Sequence, residues 1–541
     1  MAPASNDPAE RLSERFTFLE GGIGWRYQLA VFAIAFLAFV SRRPDALFHA
    51  QFFAEDGVYF FSDAYNDGWL RSLSLPLGGY YHTLPRIAGA LAQFVPLRDA
   101  PLLMNLIGLT FQVLPINVLL SGRCSSWGPF GFRALLAFAY VALPSSYEVD
   151  ASITEVQWHL AFLAFLVALA SPPRNWWERV FDVAILVLFG FTGVFCLPLL
   201  PIVFVFWWLR RDRWRLVAIA ALTVPFFVQL VTFTLTSAAN RSPMRLGANV
   251  KVFLEMLAGD VYLAALVGMN HLATEAGTFI VTVVALLGTA ILVYFFLNAN
   301  LELRLFGVFA FSVLAGSLKT PQVSLVQPQW EVLRDAPGIR YWFFPVLAFA
   351  WALIWAATLG RWKPIRFLSG VALLVMCFGI VRDWRYPAYP DSNFHTHTRE
   401  FAAAPMGTLV TIPIDPPGWS IHLVKKDPRC GAVPIGFIDL PANDARVSGQ
   451  VQFVGWVGAS GQQVERVSIS TDGAVIGSVV PAVQRQDADF IHPELTNKNK
   501  GWELGIDTTK LSPGKHQITA HALEANGCDL TFASITIERA P

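Results

Sequence analysis

Apolar runs follow one another along the chain as far as residue 382. Eleven of them are found, at 24–41, 101–121, 132–148, 155–171, 179–194, 197–209, 216–237, 277–298, 303–318, 341–360 and 366–382. A helix needs roughly 20 residues to cross about 30 Å of hydrocarbon, and several of these runs are short. Cys196-Leu197-Pro198 separates the fifth run from the sixth, so these two are alternatively one broken helix. The pattern predicts a polytopic α-helical membrane domain over 24–382.

The charges between the runs predict the orientation. Basic residues fall in alternate short connections, at Arg123, Arg133, Arg174, Arg179, Arg210, Arg211, Arg213, Arg215, Arg304, Arg361, Lys363 and Arg366. Lys and Arg mark the cytoplasmic side, which predicts a cytoplasmic tail at 1–23 and external segments at 42–100, 238–276 and 319–340. Arg42 and Arg43 go against this rule, but Arg11, Arg15 and Arg26 balance them. Mixed charge in 1–23 favours a retained tail over a cleaved signal.

Polar and apolar positions change their period outside the spans. In the first external segment, Val58–Leu75 and Leu84–Val95 have apolar residues at helical spacing, which is typical of helices lying on a membrane surface. Residues 383–440 are rich in proline and predict a linker or supporting segment. Beyond them, period-two alternation and an Asp472-Gly473 turn predict a β-sandwich over 441–541. Cys430 and Cys528 either form a bridge or are two free thiols.

Composition supports a membrane protein. The 541 residues are 54% hydrophobic, 14% aromatic and only 15% charged, whereas soluble chains carry roughly 25% charged residues. A net charge of +1 gives no indication of nucleic acid binding. The His and Cys residues have no metal-ligand spacing, so no metal site is predicted. No cofactor is required, and a divalent cation bound through carboxylate oxygens stays open.

The first external segment begins with two adjacent carboxylates, Glu55 and Asp56. Charge beside a hydrocarbon segment is costly, and in membrane proteins it usually marks a site. A carboxylate can take the proton from a hydroxyl that attacks a sugar's anomeric carbon. Asp56 is the favoured base and Glu55 its helper or a ligand of sugar hydroxyls. The alternative is that one of them caps the helix that begins near Gly57.

An external acidic loop after the first helix, flat loop helices and an external β domain resemble the GT-C class of integral membrane glycosyltransferases. The resemblance covers roughly 20–420 in topology and is concentrated in Glu55-Asp56, where that class carries an acidic motif. It implies transfer of a hexosyl or pentosyl group from a polyprenyl-phosphate sugar. The C-terminal module is similar to an Ig-like, jelly-roll or carbohydrate-binding sandwich at Gly455-Trp456-Val457-Gly458 and Gly505-Ile506-Asp507.

Other external residues are candidates for substrate binding. A departing phosphate favours neighbouring Arg or Lys, and the candidates are Arg86, Lys319, Arg334 and Arg340. Tyr80, His82, Gln157, His159 and Tyr341 could contact the sugar. Each has an ordinary alternative, since basic and aromatic residues at span ends anchor helices at the interface. Trp456 and Trp502 are candidate sugar platforms, although a place in the sandwich core or along its edge is favoured.

The resulting prediction is an enzyme of a bacterial inner membrane with its C-terminal domain in the periplasm. Its partners would be the bilayer, the lipid-linked donor and a glycan, lipid or protein acceptor. Two other readings compete: a transporter or flippase of lipid-linked glycans, and a membrane scaffold with a glycan-binding β domain. A transporter would carry charges within its spans and internal repeats, and no repeat is evident.

Overall fold

The chain forms two compact units. The computed structural model describes residues 24–240, 242, 244–268, 278–324, 326–335, 339–426, 430, 433–459, 462–471, 474–492, 495 and 497–540. The helical unit consists of Met1–Ala50, Leu75–Ala88 and Leu102–Tyr389, and the sandwich unit consists of Gln51–Ser74, Gly89–Pro101 and Pro390–Pro541. The tail predicted at 1–23 lies outside the described residues.

Every predicted apolar run overlaps a helix. The helices are Trp25–Arg42, Ala100–Leu120, Phe130–Val141, Val156–Leu169, Trp176–Gly190, Cys196–Arg210, Arg213–Asn240, Thr278–Asn298, Leu301–Lys319, Phe343–Leu359 and Lys363–Asp383. Within the described residues, six helical segments are long and apolar enough to cross a membrane: 97–120, 213–236, 279–298, 301–319, 339–359 and 363–383. Three shorter apolar helices, at 130–141, 156–169 and 196–210, accompany them. Eleven spans and their orientation therefore stay a prediction.

One predicted span is cut short. The run at 132–148 is helical only to Val141, because Pro144 follows and Ser145 takes a φ of 57°. A proline disfavours helix in the residue before it, and a positive φ breaks the helical path. Residues 142–155 are irregular and place Glu148, Asp150 and Glu155 in one polar connection between two apolar helices.

Shorter elements connect the long helices. They are Asp45–Phe48, Thr83–Leu91, the 3₁₀ turn Gly122–Trp127, Val250–Met256, the π-helix Leu257–Leu263, Ala264–Val267, Gln329–Asp335 and the 3₁₀ turn Ile339–Trp342. The core of the helical unit is aromatic: Phe306 packs on Trp351 at 4.4 Å between ring centroids, and Phe165 stacks on Phe309 at 5.2 Å. At one end of this core, the Arg123 guanidinium donates to both oxygens of Asp182 at 2.8 and 2.6 Å.

The sandwich unit joins part of the first external segment to the C-terminal region. Its helical elements are the π-helix Asp56–Phe61, Ser62–Asn66, Trp69–Ser72, the 3₁₀ turns Ala92–Phe94, Leu97–Asp99 and Thr508–Lys510, Phe394–Ala403 and Gln486–Ile491. Strands β1 (Leu409–Ile414) and β2 (Trp419–Val424) form an antiparallel hairpin. The segment predicted as a linker or supporting segment therefore supplies a helix and this hairpin, which packs on the loop helices.

Eight further strands form the predicted sandwich. They are β3 (Ile435–Leu440), β4 (Ala445–Val447), β5 (Gln450–Gly458), β6 (Val464–Thr471), β7 (Ala474–Val479), β8 (Gly501–Asp507), β9 (Gly514–Glu524) and β10 (Asp529–Arg539). They pair in the orders β4-β10-β9-β6-β7 and β3-β5-β8. Phe453, Val467, Trp502 and Ile518 belong to the buried core that both sheets share. The predicted Asp472-Gly473 turn lies outside the described residues.

The two cysteines of the C-terminal region are bonded to each other. Cys430 and Cys528 form a disulfide with their Cα atoms 5.9 Å apart, across a sequence separation of 98 residues. This answers the question that the sequence left open. Cys528 follows the β9 strand, so the bond ties the segment after the β1–β2 hairpin to the sandwich.

Candidate active site

The acidic pair lies at a sharp bend in the backbone. Ala54 adopts a φ of 50°, a backbone conformation that residues other than glycine rarely take. The π-helix begins two residues later, at Asp56. Strained residues and π-helical turns both occur preferentially at functional sites. Asp56 is only 2% exposed and its Oδ1 accepts a hydrogen bond from the Phe53 N–H at 2.6 Å, while Glu55 is half-buried. The two carboxylates therefore stand in different environments.

The surroundings of Asp56 raise its affinity for a proton. Burial raises the pKa of this carboxyl well above its usual range, and the charges of Glu55 and Asp415 raise it further. Hydrogen bonds from the Phe53 and Gly57 backbone oppose the shift without cancelling it. A carboxylate with a raised pKa is a stronger base in its ionised form, which suits a group that takes a proton from a hydroxyl.

A third carboxylate, Asp415, comes from the hairpin and was missed by sequence reasoning. The Ala54 N–H donates to the Asp415 carbonyl at 2.6 Å, and the Asp415 N–H donates to the Phe52 carbonyl at 3.2 Å. These two bonds make a short parallel bridge between the bend and the end of β1. The available signal was the alternation Leu409-Val-Thr-Ile-Pro-Ile414 ending in an acid, but it lies in a proline-rich stretch.

Aromatic packing holds the bend against the hairpin and the Phe394–Ala403 helix. Phe52 meets Phe61 at 4.9 Å and Phe394 at 5.3 Å between ring centroids, and Tyr65 meets Phe401 at 6.0 Å. The Asn66 side chain donates to the His422 carbonyl at 2.8 Å. The acidic pair is thus held by a packed framework inside the sandwich unit.

In the helical unit, Arg340 stands between two carboxylates of the irregular connection. Its backbone N–H donates to Glu148 at 2.9 Å, its guanidinium pairs with the same carboxylate, and Glu155 lies 3.8 Å away. Trp158 donates to Glu155 at 2.9 Å and its ring lies 6.3 Å from that of Tyr341. The structure therefore brings the predicted residues Arg340 and Tyr341 together. Because two carboxylates already balance Arg340, its contact with a phosphate stays a prediction.

His159 belongs to a separate buried network. Its ring nitrogens lie 2.7 Å from the Tyr140 hydroxyl and 2.9 Å from the Val149 carbonyl, and Asp150 lies 3.6 Å away. Asp150 also pairs with Arg42 at 3.2 Å and accepts from Gln112 at 2.6 Å. Outside the helices, the Tyr386 hydroxyl donates to Asp150 at 2.7 Å, and burial raises its pKa well above the usual value. Both ring nitrogens of His159 are engaged in this network.

The segment from Tyr80 to Arg86 packs on the connection after Gly190. The Gly193 N–H donates to the Tyr81 carbonyl at 2.9 Å, and Gln229 accepts from the Tyr81 N–H at 2.9 Å. The rings of Tyr80 and His82 lie 4.4 Å apart. Burial and the charge of Arg86 lower the pKa of His82 to about 3, so this imidazole is neutral at physiological pH.

The remaining predicted residues lie on different elements of the helical unit. Gln157 is buried, and its side chain lies against Gly193. Lys319 is exposed at the last position of its helix, whereas Arg334 pairs with Glu255 at 3.4 Å. Among the residues that the structure describes, no three His, Cys, Asp or Glu side chains are grouped as a metal site. The predicted site residues thus belong to both units: the carboxylate bend lies in the sandwich unit, and the basic and aromatic residues lie in the helical unit.

Comparisons with known proteins identify no family. No family model and no curated protein matches the chain. Among solved structures, the endo-β-1,4-mannanase from Thermotoga petrophila is 16% identical over 20% of this chain and 20% of that chain, with a TM-score of 0.15. An engineered protein is 22% identical over 21% of each chain, with a TM-score of 0.14. The fibronectin(III)-like modules of Clostridium thermocellum CbhA are 18% identical over 24% of this chain and 60% of that chain, with a TM-score of 0.15. Matches this partial carry no argument about fold or activity.

Proposed function

We propose that the protein is a membrane glycosyltransferase that moves a sugar from a polyprenyl-phosphate donor to a glycan, lipid or protein acceptor outside the membrane. One observation carries the proposal: a buried carboxylate with a raised pKa, Asp56, at a strained bend that directly precedes a π-helix. The apolar helices support it, because a lipid-linked donor reaches the enzyme through the bilayer.

The reaction assigns one task to each group. The acceptor hydroxyl oxygen forms a bond to the anomeric carbon as the bond from that carbon to the phosphate oxygen breaks. The electron pair leaves with the lipid phosphate, and the hydroxyl proton passes to Asp56. Glu55 is the half-buried member of the pair and would accept hydrogen bonds from sugar hydroxyls. Asp415 holds the bend through its backbone, and its charge adds to the burial that raises the pKa of Asp56.

The departing phosphate needs a cation. Positive groups placed where negative charge develops stabilise such a transition state. The exposed Lys319 and the buried Arg86 are the candidates for this role, with Arg340 as the partly neutralised third. An imidazole that stays neutral, His82, would serve as a hydrogen-bonding partner and not as a second cation.

The test replaces each carboxylate by its amide. Asp56→Asn keeps the shape and the acceptor for the Phe53 N–H, so the protein should fold while sugar transfer in isolated membranes falls by about 100-fold or more. Glu55→Gln should reduce transfer less. Asp99→Asn, which changes a half-exposed carboxylate of the same external segment, is the matched control and should transfer normally. Full activity of both Asp56→Asn and Glu55→Gln would exclude a catalytic role for these two carboxylates.

A transporter of lipid-linked glycans is the second candidate. The observation in its favour is the buried Arg42–Asp150–His159 network, because ionisable groups among apolar helices often belong to transport pathways. The two functions differ in what accumulates in cells without the protein. Loss of a transferase leaves the polyprenyl-phosphate sugar in the outer leaflet of the membrane and the acceptor short of one sugar. Loss of a flippase leaves the lipid-linked glycan on the cytoplasmic side.

A further inference from the structure

The outer surface of the three-stranded sheet exposes aromatic rings instead of burying them. Phe437 on β3 and Trp456 on β5 are direct cross-strand partners, so their side chains share one face. Their neighbours Ile438 and Val457 point into the core, which places the two rings on the outside. Phe437 is 59% exposed and Trp456 is half-buried. The sequence favoured a place in the sandwich core or along its edge for both tryptophans, and Trp502 lies in the buried core.

Glycine keeps this face flat. Gly501 on β8 is the direct partner of Trp456, and an added Cβ would lie 2.9 Å from Val483 Cβ and 3.1 Å from Arg485 Cγ. The missing side chain lets the stem of Arg485 lie on the sheet surface. His492 packs against the Trp456 ring at 5.6 Å between centroids and so limits the orientation of the indole. The rings are therefore held in place by the sheet and by the segment before β8.

A charged cluster borders the rings. Arg485 donates to Asp439 at 2.6 Å, and it donates to both oxygens of Asp487 at 2.8 and 2.6 Å. The Asp439 side chain is 34% exposed and the Asp487 side chain is 60% exposed. Both carboxylates therefore remain accessible to a ligand while they bind Arg485. The cluster presents rigid, accessible acceptors beside an aromatic floor.

We propose that this face of the sandwich, formed by Phe437, Trp456, Asp439, Arg485 and Asp487, binds a carbohydrate chain. A pyranose ring has a face of C–H groups and a rim of hydroxyls. The aromatic rings match the C–H face, and the carboxylates accept hydrogen bonds from the rim. Ligand sites are usually lined by apolar and aromatic side chains, with a small number of polar groups that fix the orientation of the ligand. The inference does not depend on the proposed transfer reaction.

Two other occupants fit the surface less well. Phe490 and Ile491 are exposed on the helix after Arg485, which would suit a lipid surface. Membrane-binding surfaces, however, are rich in Lys and Arg, whereas Asp439 and Asp487 would repel anionic headgroups. A stable protein partner would need roughly 800 Å² on each side with an apolar centre, and here charged groups directly border the two rings.

The test measures binding of the neutral polysaccharide fraction of the producing cells' own envelope to the full-length protein in detergent, by titration calorimetry. We expect Trp456→Ala to weaken binding about tenfold or more, as for an aromatic anchor. Asp439→Asn keeps the sheet and the shape, and it should weaken binding through the lost acceptor. Val475→Ala, on the exposed side of β7 in the other sheet, is the control and should bind normally.

Each outcome decides the question. Wild-type protein that binds no envelope polysaccharide overturns the proposal, as does equal binding by wild type, Trp456→Ala and Asp439→Asn. Trp456-dependent attachment to phosphatidylcholine vesicles in place of polysaccharide would assign the surface to lipid and reject the carbohydrate. Asp56→Asn should bind like wild type, because the acidic bend is a separate part of the sandwich unit. Failure of sugar transfer and failure of glycan binding are thereby told apart.

Discussion

The acidic bend packs closely on the hairpin at Gly57. A Cβ added at this position would lie 2.8 Å from the Phe52 Cβ, 2.9 Å from the Ile414 Cδ1 and 3.0 Å from the Ile421 Cγ2. The two isoleucine atoms end flexible side chains and can rotate away. The Phe52 Cβ cannot, because the Phe52 carbonyl accepts a hydrogen bond from the Asp415 N–H. Gly57→Ala must therefore push the π-helix away from the hairpin.

The expected magnitude follows from two opposing effects. An extra methyl group in a well-packed core typically destabilises it by about 1–3 kcal/mol. Alanine recovers about 0.5–1 kcal/mol of helix propensity relative to glycine. Three atoms crowd the added methyl group, so the upper part of the first range applies. The net loss of about 1–2 kcal/mol raises the population of the undocked bend by roughly 5- to 30-fold.

Hydrogen exchange of the full-length protein measures this population directly. Amides that are released when the bend opens, including that of Ala54, should exchange faster by the same factor. Gly316→Ala is the control, since an added Cβ there meets nothing within 4 Å in the Leu301–Lys319 helix. Exchange in Gly57→Ala at the wild-type rate would refute the packing of the bend on the hairpin.

Two further predictions concern the disulfide and pH. Replacing Cys430 and Cys528 together by serine opens a loop of 98 residues and should destabilise the sandwich unit by up to about 4–5 kcal/mol. Thermal unfolding with Cys377→Ser, an exposed free cysteine, as control measures the loss, and equal melting would contradict it. Sugar transfer should fall as pH drops through the raised pKa of Asp56, at a higher pH than for an ordinary aspartate. By linkage, the same raised pKa makes the folded bend less stable as pH rises above the usual aspartate value. A transfer rate that stays constant down to pH of about 4 would exclude Asp56 as the base.

Local patterns predicted most of the helices and strands. Each of the eleven apolar runs is a helix, because burial or lipid contact favours apolar residues at every position of such a segment. Strands β6, β7, β9 and β10 also follow the predicted alternation closely. The predicted end of the third run, at residue 148, was wrong, because the helix ends at Val141. Pro144 and the positive φ of Ser145 outweighed the apolar character of the run.

Partnerships across the chain could not be read from local patterns. Glu55 and Asp56 were found because charge beside an apolar helix is conspicuous. Asp415 was missed because its significance lies in its pairing with Phe52 and Ala54, far away in sequence. The same holds for Arg340, whose carboxylate partners lie on another connection of the helical unit. Hydrophobic periodicity reports the environment of one segment, and it carries no information on which distant segment completes that environment.

The dependence of the acidic bend on the hairpin has a consequence for biosynthesis. Asn66 and its hydrogen-bonding partner His422 are 356 positions apart. At ribosomal rates of 5–20 residues per second, the bend waits roughly 20 to 70 seconds for the strand that holds it. A nascent chain that stops before the hairpin leaves Asp56 without its framework. Prematurely terminated copies would thus carry an unfinished bend.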